Sequence, residues 1–137
     1  MKYKNPAATA TIIVERDDGK ILLVRRKHPP FEGKLALPGG FLNCGKEDLE
    51  TAAQRELFEE TNLHVGRGDL HLLCVNSSPI RDPREHVIDH VYVVRKFSGE
   101  VVAKDDAAEI VWIDKYHVPL LAFDHTEDVN RYLEGRI

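Results

Sequence analysis

Three glutamates lie together on one face of the segment from position 48 to 63. At helical spacing Glu56 and Glu60 fall on the same stripe and Glu59 sits at its edge, because positions i, i+3 and i+4 are neighbours on a helix. Clustered carboxylates repel one another, and partly burying them costs on the order of several kcal/mol per uncompensated charge. A hard divalent cation with oxygen ligands is the natural compensation, so the spacing predicts a Mg²⁺ site. The apolar members of the same stripe are Leu49, Ala52, Ala53 and Leu63.

A glutamate-rich helix can also present a solvated acidic face to water. That alternative would leave the side of the helix that carries Leu49, Ala52 and Ala53 half polar, and it would direct Phe58 away from the core. Carboxylates on the helix face that would normally carry apolar residues are typical of a functional site. We therefore favour the metal-binding interpretation.

The rest of the chain supplies the elements that must position these side chains. Asp48 is the expected N-cap of the helix, and Asn62 is its expected left-handed C-terminal residue. Pro38-Gly39-Gly40 breaks a short strand, and we expect a polar loop from there to the helix. Helices interleaved with strands of mixed direction predict an α/β sandwich. The expected strands are 8–15, 20–26, 35–37, 69–76, 86–97, 100–103 and 109–114, and the expected helices are 48–63 and 125–133.

Length and composition are those of a single globular domain, assigned to residues 1–137. The formal net charge of −4 argues against a broad nucleic-acid-binding surface. No apolar run approaches about 18 residues and no signal peptide is evident, so we expect no membrane partner. Cys44 and Cys74 give no disulfide framework, which favours a cytoplasmic location.

The run from Glu47, taken with the preceding glycines, resembles the Nudix box. That pattern is Gly, five residues, Glu, seven residues, Arg-Glu, an aliphatic residue, any residue, Glu-Glu, any residue, Gly and an aliphatic residue. Here Glu47 is followed by seven residues and then by residues 55–63, with Asn62 where the family has glycine. Six residues rather than five separate Gly40 from Glu47, so the loop is one residue longer than the pattern.

The resemblance to Nudix hydrolases implies an α/β/α sandwich with a mixed β-sheet and hydrolysis of a nucleoside diphosphate derivative with Mg²⁺ or Mn²⁺. It implies that Arg55, with Glu47, orients and partly neutralises the carboxylates. In-line attack of water at phosphorus needs mainly positioning and charge neutralisation, so no nucleophilic side chain is required. By position, the metal ligands would be Gly40 through its carbonyl, Glu56, Glu59 and Glu60.

Later segments are similar to those of ADP-ribose pyrophosphatases. Residues 78–87 resemble an Asp-Pro-Arg-Gly-His segment, although Glu85 stands where glycine is usual. Residues 121–125 resemble a Leu-Ala-Phe-Asp-His segment, and residues 105–109 with Trp112 are also similar to that group. These segments favour ADP-ribose as the substrate.

Four further side chains are candidates for the substrate side of the site. Arg81 and Arg84 suit a phosphate or ribose clamp, since guanidinium presents paired donors to phosphate oxygens; the alternative is a solvated loop. Phe123 could stack on adenine. Asp106, between two expected strands, could help to activate water, as could Glu59 itself.

Three functions stay open at this point. The first is hydrolysis of ADP-ribose to AMP and ribose 5-phosphate. The alternatives are a pyrophosphatase of nucleoside triphosphates or oxidised nucleotides, and a non-catalytic ADP-ribose sensor of Nudix fold. Sensors of that kind usually add a DNA-binding domain, for which we expect no room after Ile137. The partner is then a small nucleotide; members of the family often dimerise, which leaves a homodimer open.

Overall fold

The computed structural model describes residues 3–103 and 107–135, which form an α/β arrangement of two sheets and two α-helices. This confirms the expected fold class. A 3-10 turn at Arg67–Asp69 follows the first helix. The strands are β1 (Ala7–Val14), β2 (Lys20–Arg26), β3 (Leu35–Ala36), β4 (Gly39–Phe41), β5 (His71–Asn76), β6 (Val87–Val94) and β7 (Ala107–Asp114), and the helices are α1 (Leu49–Thr61) and α2 (His125–Leu133).

The larger sheet is mixed and has the order β4-β1-β6-β5. Strands β1 and β6 run parallel over their full length, so that Thr9 pairs with Asp89. Strand β4 is antiparallel to β1, with Ala10 opposite Gly40, and β5 is antiparallel to β6. The smaller sheet, β3-β2-β7, is antiparallel throughout.

The two helices cover opposite faces of this sheet structure. Successive strand residues point to opposite faces, so Ile12 and Ile13 enter different hydrophobic clusters. The cluster that contains Ile12 also contains Ala53 and Leu57 of α1. The cluster that contains Ile13 is completed by α2 and includes Ile21, Leu23, Val91, Val93, Val129 and Tyr132. The molecule is therefore the expected α/β/α sandwich.

Both expected caps of the glutamate helix are present. The Asp48 side chain accepts a hydrogen bond from the Thr51 amide, which satisfies one of the free N–H groups of the first turn. Asn62 has φ 69°, and its amide donates to the Phe58 carbonyl. Because asparagine tolerates this left-handed conformation better than most residues, it can stand where the family has glycine.

Several expected boundaries were wrong. Residues 39–41 form β4, where the sequence indicated only a loop, because the main chain of this segment pairs with β1. Residues 100–103 form no strand. Strand β7 begins at Ala107 rather than at position 109, and β6 ends at Val94 rather than at position 97. Among the described residues, no helix is long and apolar enough to cross a membrane.

Candidate active site

The short strand β4 brings the main chain against the glutamate helix. The Gly39 amide donates a hydrogen bond of 2.9 Å to Oε1 of Glu60. A Cβ atom placed on Gly40 would lie 2.4 Å from the carboxyl carbon of Glu56. A side chain at position 40 would therefore displace that carboxylate, which explains why glycine is needed there.

Arg55 holds the carboxylates in place and uses all five of its N–H donors. Its Nε and Nη2 donate to Glu47 at 3.0 and 2.6 Å. Its Nη1 donates to Glu56 and Glu59 at 2.9 and 2.7 Å. The remaining Nη2 proton reaches the Phe41 carbonyl at 2.9 Å. The planar guanidinium suits this fixed arrangement, which supports the orienting role expected for Arg55 and Glu47.

One guanidinium cannot neutralise the carboxylates around it. Glu47, Glu56, Glu59 and Glu60 carry four formal negative charges against the single positive charge of Arg55. Burial raises the pKa of Glu56 despite its contact with Arg55. Hydrogen bonds from Arg55 lower the pKa of Glu47. The excess negative charge and the oxygen donors fit a hard divalent cation such as Mg²⁺ or Mn²⁺.

The additional residue between Gly40 and Glu47 is absorbed within the loop. The Lys46 amide donates to the Asn43 carbonyl at 3.0 Å, and Gly45 takes a left-handed conformation with φ 77°. The Asn43 amide in turn donates to Oε1 of Glu47 at 2.9 Å. The turn leaves Glu47 in contact with Arg55 in spite of the longer loop.

A cleft of about 330 Å³ lies beside the glutamates. One side of it is acidic and the other is rich in cationic and aromatic side chains. A diphosphate could therefore contact positive charge on one side and a cation held by carboxylates on the other. The lining residues used below are Gly40, Glu56, Glu59, Glu60 on the acidic side, and Arg26, Arg81, Arg84, Phe41, Phe123 and Asp89 on the other sides.

Arg81 reaches the cleft, but it is neither a free phosphate clamp nor part of a solvated loop. Its side chain is only 7% exposed. Its Nε and Nη2 donate to the two carboxylate oxygens of Asp124 at 2.8 and 2.7 Å. Burial alone would raise the pKa of Asp124, but the hydrogen bonds from Arg81 lower it. The solvated-loop alternative is therefore wrong for this residue.

Arg84 stacks against two aromatic rings that line the cleft with it. Its guanidinium carbon is 4.8 Å from the centre of the Phe41 ring and 5.4 Å from that of Phe123. Nε and Nη2 donate to the buried Asp82 carboxylate at 3.0 and 2.8 Å. Arg26 stacks over Phe123 as well, at 5.0 Å. Cation and ring faces of this kind can hold both a phosphate and a nucleobase.

Two further residues belong to the segments that resemble ADP-ribose pyrophosphatases. Asp106 belongs to residues 104–106, which lie outside the described part of the chain, so its role in activating water stays a prediction. Trp112 stacks on Phe97 with 6.0 Å between ring centres, and the Arg16 guanidinium lies 4.6 Å above the Trp112 ring. These contacts support a packing role for Trp112.

Sequence reasoning missed a buried group of ionisable side chains behind Arg81. One polar atom each of Asp89, Asp124, His125 and Asp128 lies within 4.8 Å of the others, a separation that could also accommodate a metal ion. A signal for it was present, since Asp89 alternates with Val87 and Val91 on one face of β6, and two aspartates stand four apart in the segment 124–128.

The chain belongs to the NUDIX domain family, whose domain matches residues 5–133. An ADP-ribose pyrophosphatase of Methanocaldococcus jannaschii is 47% identical over 134 residues, which is 98% of this chain and 77% of that protein. The NUDIX domain of Shewanella oneidensis NrtR, solved with ADP ribose, superposes with a TM-score of 0.84 at 27% identity, covering 97% of this chain and 90% of that one.

A third relative is longer. A bifunctional NMN adenylyltransferase/ADP ribose pyrophosphatase from Francisella tularensis, solved with AMP and a Mn ion, superposes with a TM-score of 0.82 at 32% identity. All of this chain is covered, but the chain spans only 44% of that protein. The similarity therefore concerns one part of the bifunctional protein.

Proposed function

We propose that this Nudix pyrophosphohydrolase hydrolyses ADP-ribose to AMP and ribose 5-phosphate. The observation that carries the proposal is a single cleft bounded by the Arg55-held glutamates on one side and by Arg84 with Phe123 on the other. The name of the archaeal relative and the ADP ribose in the NrtR structure support this substrate.

Divalent metal use is typical of the family, and Glu56, Glu59, Glu60 and the Gly40 carbonyl would hold the cation, as Mg²⁺ or Mn²⁺. When bound, the cation supplies the positive charge that lets glutamates and a diphosphate approach each other and makes water more acidic. Arg55 keeps the carboxylates fixed throughout, so little rearrangement is needed when charge develops at phosphorus.

The remaining steps need a proton acceptor and a grip on the substrate. Glu59 is the most exposed of the glutamates contacting Arg55, with 43% of its side chain accessible, which suits a group that takes a proton from water. Asp106 is the other proposed acceptor. Arg84 and Phe123 would hold the phosphate and adenine, and Arg81, fixed by Asp124, would supply positive charge at the floor of the cleft.

The test is turnover of a nucleotide panel with Mg²⁺: ADP-ribose, NADH, deoxynucleoside triphosphates and diadenosine polyphosphates. Glu59→Gln removes one carboxylate charge from the site, and Glu127→Gln makes the same change on an exposed part of α2. We expect selective turnover of ADP-ribose that falls by at least about 100-fold in Glu59→Gln and is retained in Glu127→Gln, because loss of a ligand weakens both metal binding and orientation.

Two alternatives have distinct outcomes in the same assay. Turnover of triphosphates in place of ADP-ribose would keep the chemistry and refute the substrate. Binding of ADP-ribose with no turnover of any nucleotide would favour a sensor, an alternative raised by the ADP ribose in the NrtR domain. The intact set of glutamates around Arg55 favours the enzyme.

We further propose that residues 1–137 form one domain that acts in the cytoplasm without nucleic-acid or membrane partners. The net charge of −4 and the free thiols of Cys44 and Cys74 are consistent with this. The homodimer that the resemblance leaves open is checked by light scattering on the purified protein, which distinguishes one copy from two.

A further inference from the structure

The buried group behind Arg81 contains two aspartates that are almost fully inaccessible and come from different elements. Asp89 of β6 is 1% exposed, and Asp128 of α2 is 2% exposed. Each has one oxygen satisfied: Oδ1 of Asp89 accepts from the Thr9 and Thr11 hydroxyls, both at 2.8 Å. Oδ1 of Asp128 accepts from the Asn76 amide at 2.8 Å.

The second oxygen of each aspartate has no hydrogen-bond donor among the described residues. Oδ2 of Asp89 lies 3.7 Å from Nη2 of Arg81, beyond hydrogen-bond distance. Buried oxygens of this kind are rare in folded proteins, because an unmade hydrogen bond there costs on the order of 1–3 kcal/mol. Two such atoms in one group favour a carboxyl that stays protonated, because a protonated carboxyl is neutral and can itself donate a hydrogen bond.

A metal ion fits this group poorly. Nδ1 of His125 accepts a hydrogen bond of 3.1 Å from the Leu37 amide, so the neutral ring carries its proton on Nε2 and that nitrogen cannot bind a cation. Both oxygens of Asp124 already accept from Arg81, whose own positive charge would repel a cation. Too few free oxygens remain for the six or more ligands that hard cations take.

We propose that Asp89 and Asp128, which each bring a carboxylate oxygen to within 4.8 Å of the other, share one proton, and that this proton keeps Arg81 in position in the cleft. Asp128 is then a positioning residue, which acts on the cleft through Asp89. The assignment of Arg81 to substrate binding rests on the proposed function, whereas the shared proton does not.

The surroundings of Asp128 favour the protonated form. Burial, followed by the nearby carboxylates of Asp124 and Asp89, raises the pKa of Asp128 to about 7. Burial likewise raises the pKa of Asp89 and lowers that of His125 to about 4, so the imidazole adds no charge. Several polar and charged groups from other elements face Asp128: Asp89 from β6, Cys74 and Asn76 from β5, and Arg81 from the loop between β5 and β6. From its own element come Asp124, which caps α2, His125, its first residue, and Arg131, which interacts with Cys74.

Loss of the shared proton would change the balance of charge around Arg81. With the proton present, Arg81 faces the full charge of Asp124 and a single charge shared by the aspartate pair. Without it, two adjacent anions repel each other, and Asp89 attracts Arg81 more strongly against its two bonds to Asp124. We expect Arg81 to move from its present position in response.

The test is nuclear magnetic resonance of the whole protein, without nucleotide or metal, between pH 5 and pH 9. The carboxyl carbons of Asp89 and Asp128 and the Nε–H group of Arg81 are followed together. We expect a carboxyl transition centred near pH 7 and a change in the Arg81 signal with the same midpoint. In Asp128→Asn, whose amide can donate to Asp89 as the acid does, both transitions should disappear; the matched variant Glu127→Gln should keep them.

Three results would overturn the proposal. The first is a pair of carboxyls already fully ionised at pH 5. The second is an Arg81 signal that does not follow the carboxyl transition, which removes the positioning role. The third is a metal ion that copurifies with the wild type and with Glu59→Gln but not with Asp128→Asn, which would make the group a cation site. None of these outcomes depends on which nucleotide the protein cleaves.

Discussion

The buried Asp128 carboxyl makes the stability of the protein depend on pH in an unusual direction. Its pKa is about 7 in the folded chain against an ordinary value of 3.8. Between these values the folded state holds a proton that the unfolded state has released, so the free energy of unfolding falls as pH rises from about 4 to about 7. Asp128→Asn removes the titration and keeps the shape and a donor towards Asp89. The stability of this variant relative to the wild type should therefore rise across that window.

The size of the effect follows from the two pKa values. A separation of about three pH units corresponds to about 4 kcal/mol at most, since each unit is worth about 1.4 kcal/mol. Urea unfolding followed through the single tryptophan, Trp112, gives the free energy at each pH, and matching slopes against urea show that both chains unfold alike. Glu127→Gln should show no such rise. A difference between Asp128→Asn and wild type that changes by less than about 1 kcal/mol from pH 4.5 to pH 7.5 would refute the reasoning.

Two further predictions concern the glutamate helix. Arg55→Lys keeps the positive charge but cannot make the five fixed contacts of the guanidinium group. We expect kcat/KM, measured by steady-state hydrolysis, to fall about 100-fold, equivalent to about 3 kcal/mol. A loss below about fivefold would contradict the role of the guanidinium group. Gly40→Ala places a Cβ 2.4 Å from the Glu56 carboxyl carbon and should lower kcat at least about tenfold. The control Gly68→Ala, with nothing within 4 Å of its added Cβ, should retain activity. Equal rates for the two alanine variants would show that the close approach at position 40 does not matter.

The glutamate helix could be predicted from the sequence because its information is local. Helical spacing alone placed Glu56, Glu59 and Glu60 together, and side-chain chemistry identified the caps Asp48 and Asn62. The cation requirement followed from charge without any knowledge of neighbouring elements.

The missed features depend on contacts between distant parts of the chain. Strand β4 exists because Gly39–Phe41 pairs with β1, which no propensity of glycine would suggest. Arg81 stood in a stretch of turn residues and charges, and its partner Asp124 lies 43 residues later in the chain, so the local sequence could not show that its side chain is only 7% exposed. The Asp89–Asp128 pair joins a strand to a helix, so neither residue alone indicated a shared site.

The parallel pairing of β1 with β6 also governs how the chain folds. The bond between Thr9 and Asp89 spans 80 residues, and the strands on either side of the cleft meet only when that long loop has closed. Closing such a loop costs conformational entropy before the long-range contacts form and offset that cost. Proteins rich in distant contacts therefore fold slowly, on the scale of about milliseconds to seconds. Before the loop closes, α1 can form from local contacts. Its glutamates are then exposed to water, because β4 does not yet pack beside them. The glutamate helix is thus expected early in folding, and the complete cleft only at the end of folding.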